Sequence, residues 1–300
     1  MPSPRQTLTF LMKRFQEAGI RPATRHGQNF LIDLNLLEIL LSAADLGPQD
    51  VVLEVGTGMG SLTARMAEQA AAVVTAEIDP RLFQLASEEL VDAENVTMLL
   101  QDALQNKNTL ALPVIEAVQE QLAKAPDRRL KLVANLPYNV ATPILSNLLT
   151  FDPVPVSLTA TIQKELAERL IAKPGTKDYS ALSIWMQALC DIEIVRLLPP
   201  QVFWPKPKVH SAIVHIVPNA EKRARIGDLE FFHQFVRSLF LHRRKFLRSV
   251  LVQAMEGRLE RADVDAILAA MQFGADARAE QLDVETFIAL AEAIRAALPE

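Results

Sequence analysis

Short apolar runs alternate along this chain with longer segments that show helical periodicity, and this alternation excludes most fold classes. Strands that alternate with helices need crossover connections, and such connections give a mostly parallel sheet with helices on its faces. The sequence therefore predicts an α/β fold. The predicted strands are Val51–Val55, Val73–Glu77, Val96–Leu100, Leu130–Ala134 and Leu158–Ile162, and the predicted helices between them cover 61–70, 80–90, 113–124 and 142–149.

The pattern changes in the last third of the chain. Two more apolar runs, Ile192–Leu198 and Ser211–Val217, predict an antiparallel pair at one edge of the sheet. The strand patterns then stop, and a polar linker follows at 218–227. The helical segments that come next cover 228–256, 261–272 and 283–297. We therefore predict a main domain at 33–218 and a small all-helical domain at 219–300.

The N-terminal segment, 1–32, has a pattern of its own. Leu8, Leu11, Met12 and Phe15 follow helical spacing, which predicts a helix that stops near Gly19. Its apolar stripe favours packing on the core and leaves contact with RNA as the alternative. A basic, turn-rich connector follows. Asp33 is then placed to cap a second helix that runs through 46.

Charge is distributed unevenly. The formal net charge is −5, yet residues 1–28 carry a net +4 and residues 196–248 a net +8. Such asymmetry indicates an anionic partner. No stretch is apolar for the roughly 18 residues that a membrane span needs, and we expect no signal peptide. A single cysteine, Cys190, and five histidines without ligand spacing predict no metal site. We expect a cytoplasmic monomer without a membrane partner.

Three of the ten glycines, Gly56, Gly58 and Gly60, fall between the first predicted strand and its helix. Glycines there let the backbone turn tightly and approach a ligand. Glu77 ends the next strand, where an acid can accept hydrogen bonds from ribose hydroxyls. Asp102 follows the third strand and can accept from an adenine amino group. The Gly-x-Gly-x-Gly spacing favours S-adenosylmethionine and leaves a dinucleotide as the alternative.

The tetrad Asn135-Leu136-Pro137-Tyr138 follows the fourth predicted strand. The exocyclic amine of adenine is a poor nucleophile, because its lone pair is delocalised into the ring. The Asn135 side-chain carbonyl and the Leu136 backbone carbonyl can accept from that amine and localise the lone pair. Pro137 stiffens the turn, and Tyr138 offers a face on which a base can stack. These residues predict methyl transfer to an adenine amine.

These motifs together resemble the 16S ribosomal RNA adenine N6-dimethyltransferase family. The resemblance runs along nearly the whole chain and rests on Gly27–Leu31, Glu54–Gly60, Asn135–Tyr138, Gln163–Glu165, Tyr179–Ser183, Phe203–Ala212 and His242–Lys245. It implies a Rossmann-like class I S-adenosylmethionine-dependent methyltransferase sheet with a small helical domain. It also implies transfer of two methyl groups to each of two adjacent adenosines near the 3′ end of small-subunit rRNA, with a role in small-subunit assembly.

The resemblance also implies the site residues. The cofactor-binding set is Gln28, Asn29, Leu31, Gly56, Gly58, Glu77, Asp102 and Asn135. Phe203 is expected to form a second aromatic wall opposite Tyr138. The RNA-binding set is Arg243, Arg244, Lys245, Arg248, Lys206 and Lys208.

Two features depart from the family pattern. The gap between Asp102 and Asn135 is long, and the residues around 106–128 are expected to lengthen a helix and its flanking loops. The N-terminal helix also precedes the signature by more than usual. Two other functions stay open: a relative acting on large-subunit rRNA, of the macrolide-resistance type, and a non-enzymatic assembly or transcription factor on the same fold.

Overall fold

A seven-stranded sheet forms the centre of the computed structural model, which describes residues 8–17, 19, 28–107, 109–242 and 245–299. The strands are β1 (Phe30–Leu31), β2 (Asp50–Val55), β3 (Ala72–Glu77), β4 (Val96–Leu100), β5 (Leu104–Asn106), β6 (Thr109–Leu110), β7 (Arg129–Asn135), β8 (Ser157–Gln163), β9 (Cys190–Leu198), β10 (Phe203–Trp204) and β11 (Ser211–Pro218). The order across the central sheet is β4-β3-β2-β7-β8-β11-β9. The first five strands in this order are parallel to one another, and β11 is antiparallel to β8.

Burial explains why the parallel strands read as unbroken apolar runs. Every residue of β2 and β3 is buried, because helices cover both faces of the sheet. The parallel register brings the carboxyl ends of neighbouring strands to one edge. The predicted α/β fold is therefore confirmed. The apolar runs predicted at 192–198 and 211–217 correspond to β9 and β11, which are neighbours at one edge of the sheet.

The helices are α1 (Leu8–Glu17), α2 (Leu34–Ala44), α3 (Ser61–Ala67), α4 (Pro80–Glu89), α5 (Leu112–Ala123), α6 (Ala141–Leu148), α7 (Lys164–Leu170), α8 (Ala181–Leu189), α9 (Ala220–Ala224), α10 (Leu229–Phe240), α11 (Leu247–Ala254), α12 (Arg261–Ala270) and α13 (Val284–Ala297). Asp33 caps α2 as predicted, since its carboxylate accepts from the backbone N–H groups of Asn35 and Leu36. Within the described ranges, none of these helices has the length and apolar composition that crossing a membrane requires.

Two short ladders are absent from the sequence prediction. β1 pairs with β10, with Phe30 opposite Trp204 and Leu31 opposite Phe203. β5 and β6 form a small hairpin that precedes α5. This hairpin and helix account for the long gap between Asp102 and Asn135.

The chain divides into two compact units, Met1–Ala167 with Glu193–Pro218, and Glu168–Ile192 with Asn219–Glu300. The second unit thus includes 168–192, a segment that the sequence prediction assigns to the main domain. Packing gives the reason: Trp185 of α8 lies 6.4 Å from Phe232 of α10, measured between ring centroids.

The prediction of one continuous helical segment over 228–256 is wrong. α10 ends at Phe240 and α11 begins at Leu247, and the described residues between them are not helical. Phe246 has an extended backbone, with ψ at 142°, so the chain leaves the helical path before α11 begins.

Candidate active site

Four neighbouring parallel strands present their carboxyl ends to one cavity. The glycine-rich turn follows β2, Glu77 ends β3, Asp102 follows β4 and the tetrad begins at the end of β7. Ligands of open α/β sheets bind at this edge. The predicted site residues that line the cavity are Gln28, Asn29, Gly56, Gly58, Glu77, Asp102, Asn135, Leu136 and Pro137. Leu31 lines a second cavity that shares Phe30, Gly56, Gly58 and Asn135 with the first.

The glycine-rich turn is built for close approach. Gly56 has a φ of +89°, and a Cβ placed there would lie 3.2 Å from Cδ and Cγ of Pro137. A Cβ on Gly58 would lie 3.3 Å from the Phe30 ring. The turn therefore packs directly against both the tetrad and the segment around β1, and side chains at these positions would fill the space.

Glu77 accepts from two backbone N–H groups, one in the glycine-rich turn and one just after β3. The Gly58 N–H donates to its Oε2 at 2.9 Å, and the Asp79 N–H donates to its Oε1 at 3.0 Å. Burial raises the pKa of this carboxyl above its ordinary value, although the two N–H donors act to lower it. Asp102 is exposed, and its Oδ1 accepts from the Leu104 N–H at 2.9 Å.

Glu54 belongs to a buried network behind the turn. The hydroxyls of Thr63 and Thr75 donate to its Oε2 at 2.6 and 2.7 Å, and Thr57 lies 2.6 Å from Thr75, measured between hydroxyl oxygens. Burial raises the pKa of Glu54 to about 8. The sequence shows Glu54 as an acid inside an apolar strand, which indicates a buried carboxyl group. It does not show which side chains donate hydrogen bonds to that group.

Asn135 connects the tetrad to the N-terminal segment. Its Nδ2 donates to the backbone carbonyl of Asn29 at 2.8 Å. An amide held through its N–H₂ group leaves its carbonyl oxygen as the acceptor for another group. Asn135 is half-buried at the cavity wall. This geometry suits the acceptor role that the sequence predicts.

The two aromatic side chains predicted for a base pocket occupy different surroundings. The Tyr138 hydroxyl lies 2.6 Å from the buried Ser211 hydroxyl, and burial raises the pKa of this tyrosine. Phe203 is 2% exposed and packs in a core cluster with Leu40 and Ile213. Neither ring lines the cavity described above.

The residues predicted to bind RNA are only partly described. Arg243 and Arg244 lie outside the described residues. Lys206, Lys208 and Lys245 are exposed. Arg248 forms two hydrogen bonds with the Asp265 carboxylate, at 2.6 and 2.8 Å.

A sheet of this order, with a glycine-rich turn after β2 and an acid at the end of β3, defines a class I S-adenosylmethionine-dependent methyltransferase. A family model described as ribosomal RNA adenine dimethylase matches residues 21–290. The chain belongs to the ribosomal RNA adenine dimethylase family, which confirms the family and the enzyme class predicted from the motifs.

Curated relatives agree with the family model. The chain is 37% identical over 270 residues to ribosomal RNA small subunit methyltransferase A of Geobacillus kaustophilus. It is 38% identical over 270 residues to the protein of the same name from Bacillus cytotoxicus. Each match covers 89% of this chain and 89% of the relative.

Solved structures share the fold. A dimethyladenosine transferase from Plasmodium falciparum superposes with a TM-score of 0.73 at 22% identity, over 89% of this chain and 98% of that one. The 23S rRNA methyltransferase ErmE gives a TM-score of 0.62 at 27% identity, over 89% and 100%. Membership of the ribosomal RNA adenine dimethylase family implies S-adenosylmethionine as the methyl donor and ribosomal RNA as the substrate.

The residues of the cavity fit such a donor. A Cβ would fill the cradle at Gly56 and Gly58, and Glu77 lines the cavity with a buried carboxylate. Gln101 also lines the cavity, and its Nε2 is buried with no hydrogen-bond partner among the described residues. These features suit a polar ligand with a nucleoside part. Within the described ranges, no group of three or more acidic, histidine or cysteine side chains is placed to hold a metal ion.

Proposed function

We propose that this chain dimethylates the N6 amines of two adjacent adenosines near the 3′ end of small-subunit rRNA. The observation that carries the proposal is the placement of Asn135. Its side-chain amide donates to the Asn29 carbonyl, and Asn135 lies at the wall of the cavity that the glycine-rich turn also lines. The names of the curated relatives support the small subunit as the substrate. We further propose that it acts as a cytoplasmic monomer during small-subunit assembly.

Different residues of the cavity are proposed to bind different parts of the methyl donor. Glu77 is proposed to accept from the ribose hydroxyls, and Asp102 from the adenine amino group. The turn at Gly56 and Gly58 lets the backbone lie against the donor. Gln28, Asn29 and Leu31 complete the site on the N-terminal side. When bound, S-adenosylmethionine supplies an electrophilic methyl group on a sulfonium centre.

At the target adenine, the Asn135 and Leu136 carbonyl oxygens are proposed to accept from the two N6 hydrogens. This draws the amine toward tetrahedral geometry and localises its lone pair for attack. One N6 proton would pass to water in each transfer, and the monomethylated amine, which keeps a single N6 hydrogen, would donate to only one of the two carbonyls. Positioning and electrostatic stabilisation are proposed to carry the rate without a strong base. Tyr138 is proposed to stack on the base. Phe203 forms the opposite wall only if its ring leaves the core cluster.

Recognition of the RNA is proposed to depend on basic side chains in both units. Lys206 and Lys208 follow β10. In the chain, Arg243, Arg244 and Lys245 come between α10 and α11, and Arg248 is in the first turn of α11. Contacts with phosphates fix position without reading sequence.

Methyl transfer from labelled S-adenosylmethionine tests the proposal, with undermethylated small subunits and free large-subunit rRNA offered in parallel. We expect N6,N6-dimethyladenosine in the small-subunit RNA only, and labelling at least 100-fold slower with the Asn135→Ala protein. Label confined to large-subunit RNA would support the resistance-type activity instead. Cofactor binding without label in either RNA, or in earlier assembly intermediates, would support the non-enzymatic alternative.

A further inference from the structure

Helix α1 lies outside the part of the chain that the family model matches, yet it packs beside the cofactor cavity. The matched range begins at residue 21, and α1 covers Leu8–Glu17. Leu11 and Phe15 are each 2% exposed. They form a cluster with Met59 of the glycine-rich turn and with Leu82 and Leu85 of α4. The predicted core packing is thus confirmed for these two residues, while Leu8 and Met12 are 37% and 50% exposed.

Three aromatic rings join α1 to the short ladder of β1 and β10. Phe15 lies 5.2 Å from Phe30 and 5.0 Å from Trp204, measured between ring centroids, and both pairs are edge-to-face. Phe30 and Trp204 are themselves cross-strand partners in that ladder. Edge-to-face pairs at this distance contribute beyond the area that they bury. Phe15 therefore stabilises the position of both strands.

The ladder contacts the groups that line the cavity. Phe30 lines the cavity and packs against Gly58, and it directly follows Asn29, the acceptor of the Asn135 amide. Leu11 of α1 lines the second cavity, which shares Gly56, Gly58 and Asn135 with the first. A side chain of α1 thus forms part of the wall behind the glycine-rich turn.

An ion pair also holds α1 to α4. Arg14 donates to Glu88 at 2.7 Å, and both side chains are partly exposed. Such a pair contributes little to stability by itself. It does offer a way to weaken the packing of α1 without cutting into the apolar cluster.

We infer that α1 is a clamp on the cofactor cavity, and that Phe15 is a positioning residue that slows the loss of S-adenosylmethionine by holding Phe30 over the glycine-rich turn. The inference rests on the proposed function, since it assumes that this cavity takes S-adenosylmethionine. Loosening a clamp acts mainly on the dissociation rate. Methyl transfer at saturating donor should change less than donor binding, because Phe15 contacts Phe30 directly and reaches Asn135 only through the backbone of Asn29, whose carbonyl still accepts from the Asn135 amide.

The first test is Phe15→Ala in the full chain, with S-adenosylmethionine binding measured by calorimetry and donor KM and kcat by methyl transfer. We expect a Kd and a KM raised at least tenfold, and a kcat within threefold of wild type. The matched control is Phe232→Ala, which truncates an equally buried ring in the second unit. Its Kd for the donor should stay within twofold of wild type.

The second test leaves the apolar cluster intact. Arg14→Glu places two carboxylates where the ion pair stood, and we expect a donor dissociation rate raised about threefold or more. Lys13→Glu makes the same charge change on an outward-facing side chain of α1 that is 74% exposed, and should leave the rate unchanged. Combining Arg14→Glu with Glu88→Arg restores the pair and should restore the rate.

The outcomes separate this inference from the proposed function. Wild-type protein that binds the donor, together with a Phe15→Ala Kd within twofold of wild type, overturns the clamp alone. Equal increases in Kd for Phe15→Ala and Phe232→Ala also overturn it, because they indicate general destabilisation. Wild-type protein that does not bind the donor overturns the proposed function and the clamp with it.

Discussion

The side-chain amide of Asn135 donates through Nδ2 to the backbone carbonyl of Asn29 at 2.8 Å. This hydrogen bond joins two residues that are 106 positions apart, one in the tetrad and one just before β1. It also distinguishes the two ends of the amide, because the N–H₂ group is engaged and the oxygen is left to accept. The orientation that the proposed chemistry needs is thus set by the backbone of the N-terminal segment.

Removing the acceptor should remove most of the activity. Asn135→Ala is expected to lower kcat at least 100-fold, or about 2.7 kcal/mol of barrier, because no group replaces the Oδ1 acceptor. RNA binding should stay near wild type. Asn147→Ala is the control, since the Nδ2 of Asn147 on α6 is buried without a partner among the described residues. Turnover of Asn135→Ala within threefold of wild type would contradict the acceptor role.

The anchor itself can be tested by a change that keeps the acceptors. Asn135→Asp retains two oxygens but has no N–H to donate to the Asn29 carbonyl. It places a negative charge against that carbonyl oxygen, and we expect a kcat as low as that of Asn135→Ala within tenfold. An Asn135→Asp protein with near wild-type turnover would show that the Asn29 hydrogen bond is dispensable.

The contact between the turn and the tetrad predicts a strong effect at Gly56. Gly56→Ala adds a Cβ that would lie 3.2 Å from the Pro137 ring, at a positive φ that favours glycine. Gly175→Ala is the control, because Gly175 has a φ of +77° but open space around its Cβ position. Urea unfolding should show a free energy of unfolding about 1 kcal/mol lower for each variant than for the wild type. Only Gly56→Ala should also raise the donor Kd, by tenfold or more.

The Tyr138–Ser211 hydrogen bond predicts non-additive effects. Tyr138→Phe and Ser211→Ala each remove one partner of the same 2.6 Å contact, so each should lower kcat/KM several-fold. The double variant should resemble either single variant, with a coupling energy of about 1 kcal/mol. Ser157→Ala is the control, since that buried hydroxyl has no partner among the described residues. Additive losses would mean that Ser211 does not hold the Tyr138 ring.

The buried carboxyl of Glu54 predicts a dependence of stability on pH. Its pKa of about 8 lies above the ordinary value, so the folded protein keeps a proton that the unfolded chain has lost. The free energy of unfolding should therefore fall as pH rises from about 5 to 8, by up to about 1.4 kcal/mol per pH unit for one proton.

Glu54→Gln removes this titration and keeps an oxygen that can accept from Thr63 and Thr75. Urea unfolding at several pH values should then show a flatter pH dependence than wild type. Parallel curves for the two proteins would place the pKa of Glu54 near its ordinary value.

The Asp265 carboxylate should compete with RNA for Arg248. Asp265→Asn releases the guanidinium from its two hydrogen bonds, and RNA affinity should rise a few-fold at low salt. The slope of log affinity against log salt should steepen by up to about 0.9. Glu285→Gln is the control, because it makes the same charge change beside Arg225. In the wild-type protein, Glu285 Oε2 forms an ion pair with Arg225 Nη1 at 2.6 Å. Equal effects of both variants would mean that Arg248 makes no specific phosphate contact.

Much of the fold could be predicted because its signals are local. Each strand of the parallel sheet is a short apolar run, and each helix of the first unit shows its own period. The predicted boundaries of the parallel strands fall within one residue of the observed ones. The break between α10 and α11 was not predicted, because the polar residues at 242–245 also suit the exposed face of a continuous helix. The structure shows the break in the turn at 241–242 and in the extended backbone of Phe246. The two-residue strands β1 and β10 are too short to show any period.

Residue types at short, fixed spacing are enough to predict the α/β class, the glycine-rich turn, the tetrad and the family. The contacts that these groups make depend on the tertiary structure. Asn135 meets Asn29 across 106 positions, and Tyr138 meets Ser211 across 73. Glu54 meets Thr75 on the neighbouring strand, and Phe15 meets Trp204. Such contacts depend on which strands lie side by side and on the direction of each side chain, and no local spacing encodes either.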